Sequence, residues 1–373
     1  VAITGDSILV ISAAQTGTLV NGVDGGMFMH RSTDGGTTWT QSFIPFVNGS
    51  NFVNVGGDVY DIDANQNGTV AIVVGRYNTF MLKSTDFGLT WTAHDVVRST
   101  DINGNPNANN YSGAAGESAE RQDILDESFS VIVDDNDYVH VWAGRLDYLK
   151  DDPNADGSVY PFSEGLMYWN ESMSEPVILH ASRFTVEANA GCNPLYTSAV
   201  INDPEFTQFG LYRSSLVSQP SASYDAAGNL VVAYTRMRTA IIDPLDSSVL
   251  NASPDGYFFK DVYLLKSADG GATWEGPFNV SNQDTLECAF PGLPRKFYNN
   301  TIPVIWMQDA LPGNALQPPT GYSHPYLSND IMYDEIPLSS IVTPLDETCP
   351  TLALLDPGIN NLTISQGCNP SAE

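Results

Sequence analysis

Short apolar runs alternate with clusters of Gly, Asp, Asn and Thr along this chain, at a spacing too close for long helices. Met27-Phe28-Met29-His30, Phe80-Met81-Leu82-Lys83 and Val262-Tyr263-Leu264-Leu265-Lys266 are three such runs, and each leads into a polar octamer. The octamers read S-T-D-G-G-T-T-W (32–39), S-T-D-F-G-L-T-W (84–91) and S-A-D-G-G-A-T-W (267–274), so all obey S-x-D-x-G-x-T-W. This pattern predicts a strand, a turn and a second strand. The Asp side chain accepts backbone N–H groups just ahead of it and holds the turn. The Gly two residues later takes a positive φ that a Cβ would oppose. Thr and Trp then open the next strand, with the indole as a large apolar anchor.

A second pattern repeats beside the first. Segments 63–74, 134–142 and 225–234 each start with an Asp-led polar turn and continue as an apolar strand. Joined to the octamers, they define a unit of four short strands, the composition of a propeller blade. Weaker hairpin candidates at Gly165–Trp169, Gly210–Ser214 and Asp330–Tyr333 bring the units to six, with seven as the alternative. Inner strands are expected near 5–12, 69–75, 137–143, 196–202, 229–235 and 302–307. Long inserts fall at 99–125, 145–164, 236–259 and 308–328, and loops of that length carry function or restrain a neighbour.

The octamer resembles the Asp-box, or BNR repeat, of sialidases and related secreted β-propellers. The matching positions are Ser32, Asp34, Gly36, Thr38 and Trp39; Ser84, Asp86, Gly88, Thr90 and Trp91; and Ser267, Asp269, Gly271, Thr273 and Trp274. The resemblance implies an all-β, six-bladed propeller (or seven-bladed) of four-stranded antiparallel sheets. It places each box in the hairpin between the two outer strands of a blade, away from the substrate end. The boxes then carry architecture and not catalysis. The propeller is expected to span 1–342, with 343–373 as a disulfide-closed strap packed on it.

Charge narrows the partners. The chain has 373 residues, 15 Lys and Arg against 44 Asp and Glu, and a formal charge of −29. Phosphate backbones and anionic membrane surfaces repel such a chain, so no nucleic acid is expected. No apolar stretch of ~18 residues exists, which argues against membrane insertion by a helix. The chain opens at Val1, and a removed signal peptide with an extracellular or cell-surface location is the expectation. Cys192, Cys288, Cys349 and Cys368 lack C-x-x-C spacing, which argues against zinc and points to two disulfides. Three pairings are possible; a local Cys349–Cys368 loop is favoured, leaving Cys192–Cys288.

Candidate chemistry is sparse. Sialidases of the kind resembled hold a sugar carboxylate with three arginines and use a Tyr nucleophile, a Glu and an Asp. No arginine precedes Arg31, which abuts the first octamer, and Arg121, Arg145, Arg183, Arg213, Arg236, Arg238 and Arg295 stand in no such motif. Glu117, Glu120 and Asp123 are the most concentrated acids near apolar residues. Asp152-Pro153-Asn154-Ala155-Asp156-Gly157 opens like an EF-hand-type loop, so Asp152, Asn154 and Asp156 are candidate calcium ligands. Asp63-x-Asn65-x-Asn67-Gly68 matches too, but as part of the repeated turn. Aromatics at Tyr322, His324 and Tyr326 suit stacking on sugars. The expectation is a non-enzymatic surface module for adhesion, glycan or protein binding, or self-assembly. The alternative is an exo-acting glycoside hydrolase.

Overall fold

The computed structural model describes residues 1–15, 17–48, 59–75, 78–98, 122–149, 158–160, 165–180, 212, 214–237, 253, 256–283, 285–314, 325 and 327–343. Among these residues the fold is all-β, apart from a 3₁₀ turn at Leu338–Ser340.

Five antiparallel sheets follow one another along the chain. The first holds β1 (Ala2–Thr4) and β2 (Ser7–Ala13). A small ribbon, β3 (Leu19–Val20) and β4 (Val23–Asp24), separates them from β5 (Met27–Ser32) and β6 (Thr40–Phe43). The second is β7 (Tyr60–Ala64), β8 (Val70–Gly75), β9 (Asn78–Ser84) and β10 (Thr92–Arg98). The third contains β11 (Gln122–Leu125), β12 (Ser130–Val133), β13 (Val139–Leu149), β14 (Ser158–Tyr160), β15 (Leu166–Asn170) and β16 (Val177–His180). There the long β13 pairs with β12 near its start and with β11 and β14 near its end. The fourth is β17 (Val217–Tyr224), β18 (Leu230–Met237), β19 (Lys260–Ser267) and β20 (Glu275–Asn279). The fifth is β21 (Glu287–Gly292), β22 (Thr301–Asp309) and β23 (Asp330–Pro337).

Each sheet meanders outward from an inner strand: β1, β7, β12, β17 or β21. Successive sheets pack face to face through buried apolar residues. Leu9 and Met29 meet Ile72 and Leu82; Val73 meets Val141 and Trp169; Trp142 and Tyr168 meet Val232; Val231 and Leu264 meet Val304 and Trp306. Such faces, burying ~1.5–3 kcal/mol per large side chain, hold the stack together. The inner strands are tied by side chain to backbone. Val131 N and Val133 N donate to the carboxylates of Asp61 and Asp63, at 2.9 and 2.8 Å. Ala222 N donates to Ser130 Oγ at 3.0 Å, and Leu293 N to Ser221 Oγ at 2.9 Å. This is the packing of β-propeller blades.

Two expectations are corrected. The apolar stretches expected as inner strands near 5–12, 69–75, 137–143, 229–235 and 302–307 form second strands: β2, β8, β13, β18 and β22. A second strand has a partner on both edges and a sheet on both faces, so β8 and β18 are buried throughout. The inner strands spend polar residues on their neighbours, which removes the apolar signal. Among the residues of the Gly210–Ser214 hairpin candidate, Tyr212 and Ser214 are described, and both precede β17 outside any strand. The candidate strand at 196–202 and residues 344–373, which make up nearly all of the expected strap, lie outside the described residues.

Candidate functional site

The three octamers adopt one geometry. Ser32 closes β5, Ser84 closes β9 and Ser267 closes β19, and each Oγ donates to the Asp two residues on, at 2.8, 2.7 and 2.8 Å. The same Oγ accepts from the N–H of Gly36, Gly88 or Gly271, at 2.9, 2.7 and 2.8 Å. The Asp then accepts the N–H of Thr38, Thr90 or Thr273, at 2.9, 2.8 and 2.8 Å, and the hydroxyl of the same Thr. The indole N–H of Trp39, Trp91 or Trp274 donates to the carbonyl of that Gly. All three glycines are left-handed, with φ of 89°, 88° and 93°. Hydrogen bonds from Thr38 and Thr273 hold Asp34 and Asp269 down to about 2; at Asp86 burial pulls upward, and the Thr90 bonds outweigh it to the same result. Every oxygen of these acids is spent on its own turn.

The opposite end of the sheets is different. Ser267 and Lys260 terminate the same strand, β19, so the octamers and the environment of Lys260 lie at opposite ends. Around Lys260 sits a cluster of buried ionisable groups. Glu287 opens β21 and stands directly across from Asp309, which closes β22, so the two acids share one face of the fifth sheet. Tyr212 Oη donates to Glu287 Oε1 at 2.7 Å and accepts from Gly313 N at 3.1 Å. Lys260 N donates to Glu287 Oε2 at 2.6 Å. The Lys260 ammonium lies 4.8 Å from the centre of the Tyr212 ring and donates to Ser215 O at 3.3 Å. Behind it, Asp126 is buried and accepts from Ser128 N, Gly144 N and Ser215 N, at 3.1, 3.0 and 2.8 Å, and from Ser218 Oγ. A Cβ on Gly144 would overlap that carboxylate.

Burial dominates the electrostatics here. It raises Glu287 and Asp126 toward their neutral acids, lowers Lys260, and pushes the Tyr212 phenol well up. A cavity of about 100 Å³ opens against this cluster, lined among others by Tyr212, Glu287, Phe290, Gln308, Asp309 and Asn314. Its wall carries two acids, amides and two aromatic rings. That set offers acceptors and donors for hydroxyl groups and ring faces for C–H surfaces.

Other candidates from the sequence are dispersed. Arg145 pairs with Asp123 at 2.7 Å, Arg236 with His180 at 3.0 Å, and Arg295 sits at the octamer end on Asp63. Arg121, Arg183, Arg213 and Arg238, Glu117 and Glu120, and the Asp152, Asn154, Asp156 loop lie outside the described residues. No group of three His, Cys, Asp or Glu side chains suited to a metal occurs among the described residues. In the 63–68 turn, Asn65 Oδ1 is taken by the N–H groups of Asn67 and Thr69, and its Nδ2 reaches across to Asp134 O. Cys288 corrects the expected Cys192–Cys288 bridge: it is a free thiol buried between the fourth and fifth sheets, and burial pushes it up to about 12. Its side chain faces that apolar interlayer. Cys192, Cys349 and Cys368 lie outside the described residues. The Glu287–Asp309 pair and the Asp126 nest had no sequence signal, because the pair depends on the register between β21 and β22 and the nest draws donors from both β13 and β17.

No protein-family model and no curated protein matches the chain in sequence. Solved structures with a similar course include the α-L-arabinanase of Penicillium chrysogenum complexed with arabinobiose, at 11% identity and TM-score 0.36, covering 81% of this chain and 74% of that one. The GH93 α-L-arabinofuranosidase of Fusarium graminearum follows at 12% identity and TM-score 0.33, covering 77% and 71%. The intramolecular trans-sialidase of Ruminococcus gnavus has 12% identity and TM-score 0.36, covering 86% and 52%. At such identities and TM-scores, the likeness carries no weight for the site.

Proposed function

We propose that the chain is a secreted or cell-surface β-propeller of the Asp-box kind. In this reading, the end opposite the octamers binds a glycan without cleaving it, in the service of adhesion or surface assembly. The lining of the cavity supports this reading. Asp309, Gln308 and Asn314 border it beside Tyr212 and Phe290, a combination suited to a hydroxyl-rich ligand. Glu287 is held by the Tyr212 hydroxyl and the Lys260 amide, which is a positioning arrangement. The cavity is smaller than the ~300 Å³ at which drug-sized ligand pockets begin, which suits one sugar edge and not an enclosed substrate.

The test is a glycan array followed by calorimetry on the best neutral and acidic hits. Binding to a neutral glycan, weakened about tenfold or more by Asp309→Asn or Gln308→Ala, supports the reading. No binding to any glycan, or binding untouched by both substitutions, overturns it.

One observation favours hydrolysis as a second reading. Glu287 and Asp309 face one another across β21 and β22, and burial keeps Glu287 toward its neutral acid, the form a general acid needs. Release of a chromophore from aryl glycosides by the wild type, abolished in Glu287→Gln, would establish it. The proposal also includes a calcium ion on Asp152, Asn154 and Asp156. A calcium-dependent rise in melting temperature that disappears in Asp152→Ala tests that part.

A further inference from the structure

Two matched irregularities lie on the inner strands of the fourth and fifth sheets. In β17 the register slips by one residue between Ser218 and Ser221, and in β21 between Ala289 and Gly292. Each bulge holds a bulky residue that is left-handed and followed by proline: Gln219 at φ 56° and Phe290 at φ 53°. A Cβ resists that conformation, and a residue before proline prefers extended backbone with negative φ, so both positions are strained. One bulge holds the other. Gln219 is buried, and its Oε1 accepts from Phe290 N at 3.1 Å and from Thr235 Oγ1 at 3.2 Å. The Phe290 side chain lines the cavity and stays 47% exposed, its ring nearly perpendicular to that of Tyr212 with centroids 5.5 Å apart. Bulges re-aim side chains, and here the outcome is a large apolar ring half in solvent at the cavity.

We propose that Phe290 is the platform on which a neutral pyranoside lies, one C–H-bearing face against the ring, and that Gln219 positions it. This inference rests on the glycan-binding reading of the same cavity and adds the class of sugar. A six-membered sugar ring carries axial C–H groups that pack on an aromatic face, while its edge hydroxyls reach donors and acceptors. Asp309 and Asn314 border the cavity with Phe290 and serve such an edge. Among the described residues no lining side chain is cationic, so a sugar carboxylate would meet the Asp309 charge without compensation. A glycine would hold the bulge without strain, so what the strained conformation maintains is the ring.

Ligand-observed NMR with the methyl β-pyranosides of glucose, galactose and xylose, and with methyl β-D-glucuronide, tests this on the full chain and its variants. The expected result is an upfield ring-current shift on the C–H protons of one face of a neutral pyranoside, and weaker binding of the glucuronide. Phe290→Leu keeps apolar bulk and should lose the ring-current shift. Phe290→Gly should weaken binding about tenfold. It should still melt within about 3 °C of wild type, because relief of the left-handed strain offsets the lost contact with Tyr212. Gln219→Leu should also weaken binding, with no further effect in the Phe290→Gly background, as befits a residue acting through the ring. A Phe290→Gly protein that binds as wild type, or that melts well below it, overturns the proposal. So does a Gln219→Leu effect that persists without the ring. Binding of array glycans without any of the neutral pyranosides, or of the glucuronide above them, overturns this inference alone. Binding of no glycan at all overturns the reading it rests on as well.

Discussion

Arg295 and Asp63 lie 232 positions apart in the chain and meet at 2.6 Å. Arg295 comes from the turn between β21 and β22; Asp63 belongs to β7, the inner strand of the second sheet. The same guanidinium donates to Val133 O at 2.8 Å and to Tyr224 Oη at 3.1 Å, on the inner strands of the third and fourth sheets. One side chain thus joins four sheets where their inner strands converge. Lys296 adds a 2.6 Å pair to Asp135 beside it. Arg295→Ala is expected to lower unfolding free energy by about 2 kcal/mol, because three acceptors lose a charge-assisted donor. Arg295→Lys should recover little of it, since one ammonium does not span three directions. Urea unfolding of the three proteins checks this; equal midpoints for wild type and Arg295→Ala would count against it.

The octamer acids set the behaviour in acid. Asp34, Asp86 and Asp269 are held near 2 in the folded chain and titrate near 3.9 when unfolded. Depressed values stabilise the fold above the unfolded value and lose that contribution as pH falls through the folded one. Stability should therefore drop between pH 4 and pH 2. Asp269→Asn should show a shallower fall over that window, read by thermal melts at each pH.

Asp61 works in the other direction. Burial pushes it up to about 6, although Val131 N and Ile62 N donate to it. A raised acid stabilises the fold in its protonated form, fully below about 3.9, and this contribution fades as pH rises through about 6. Asp61→Asn should be insensitive across that range and gain on the order of 2 kcal/mol relative to wild type at pH 8. Parallel pH profiles of the two proteins would contradict the assignment.

Gly144 is required by contact and not by backbone conformation. A Cβ there overlaps the Asp126 carboxylate and crowds Ser215. Gly144→Ala is expected to cost about 3 kcal/mol or more, because the nest of donors around a buried carboxylate must open. Gly35→Ala, at an open turn position with φ of 68°, should cost only about 1 kcal/mol. Chemical denaturation of both variants distinguishes a packing cost from a conformational one.

The second octamer shows where local chemistry yields to packing. Gly35 and Gly270 take positive φ before the repeated glycine, but the second copy has Phe87 there, at 53°. Phe87 is buried between the first and second sheets, and Arg31 donates to its carbonyl at 2.9 Å. Packing sustains a conformation that Gly accepts freely.

What the sequence by itself determined is whatever lies within a few residues. The octamer turns close on their own Ser, Asp, Gly and Thr, and the buried second strands announce themselves by continuous apolar runs such as Val70–Val74 and Leu230–Tyr234. The tertiary structure alone decided which strand lies innermost, because inner strands trade apolar residues for polar links to the next sheet, as Asp61 and Ser130 do. It alone set Glu287 against Asp309, buried Lys260 beside Tyr212, left Cys288 a free thiol and brought Arg295 to Asp63. Those relationships join residues from different strands or different sheets, and no spacing along the chain encodes a distance that only strand pairing and sheet packing create.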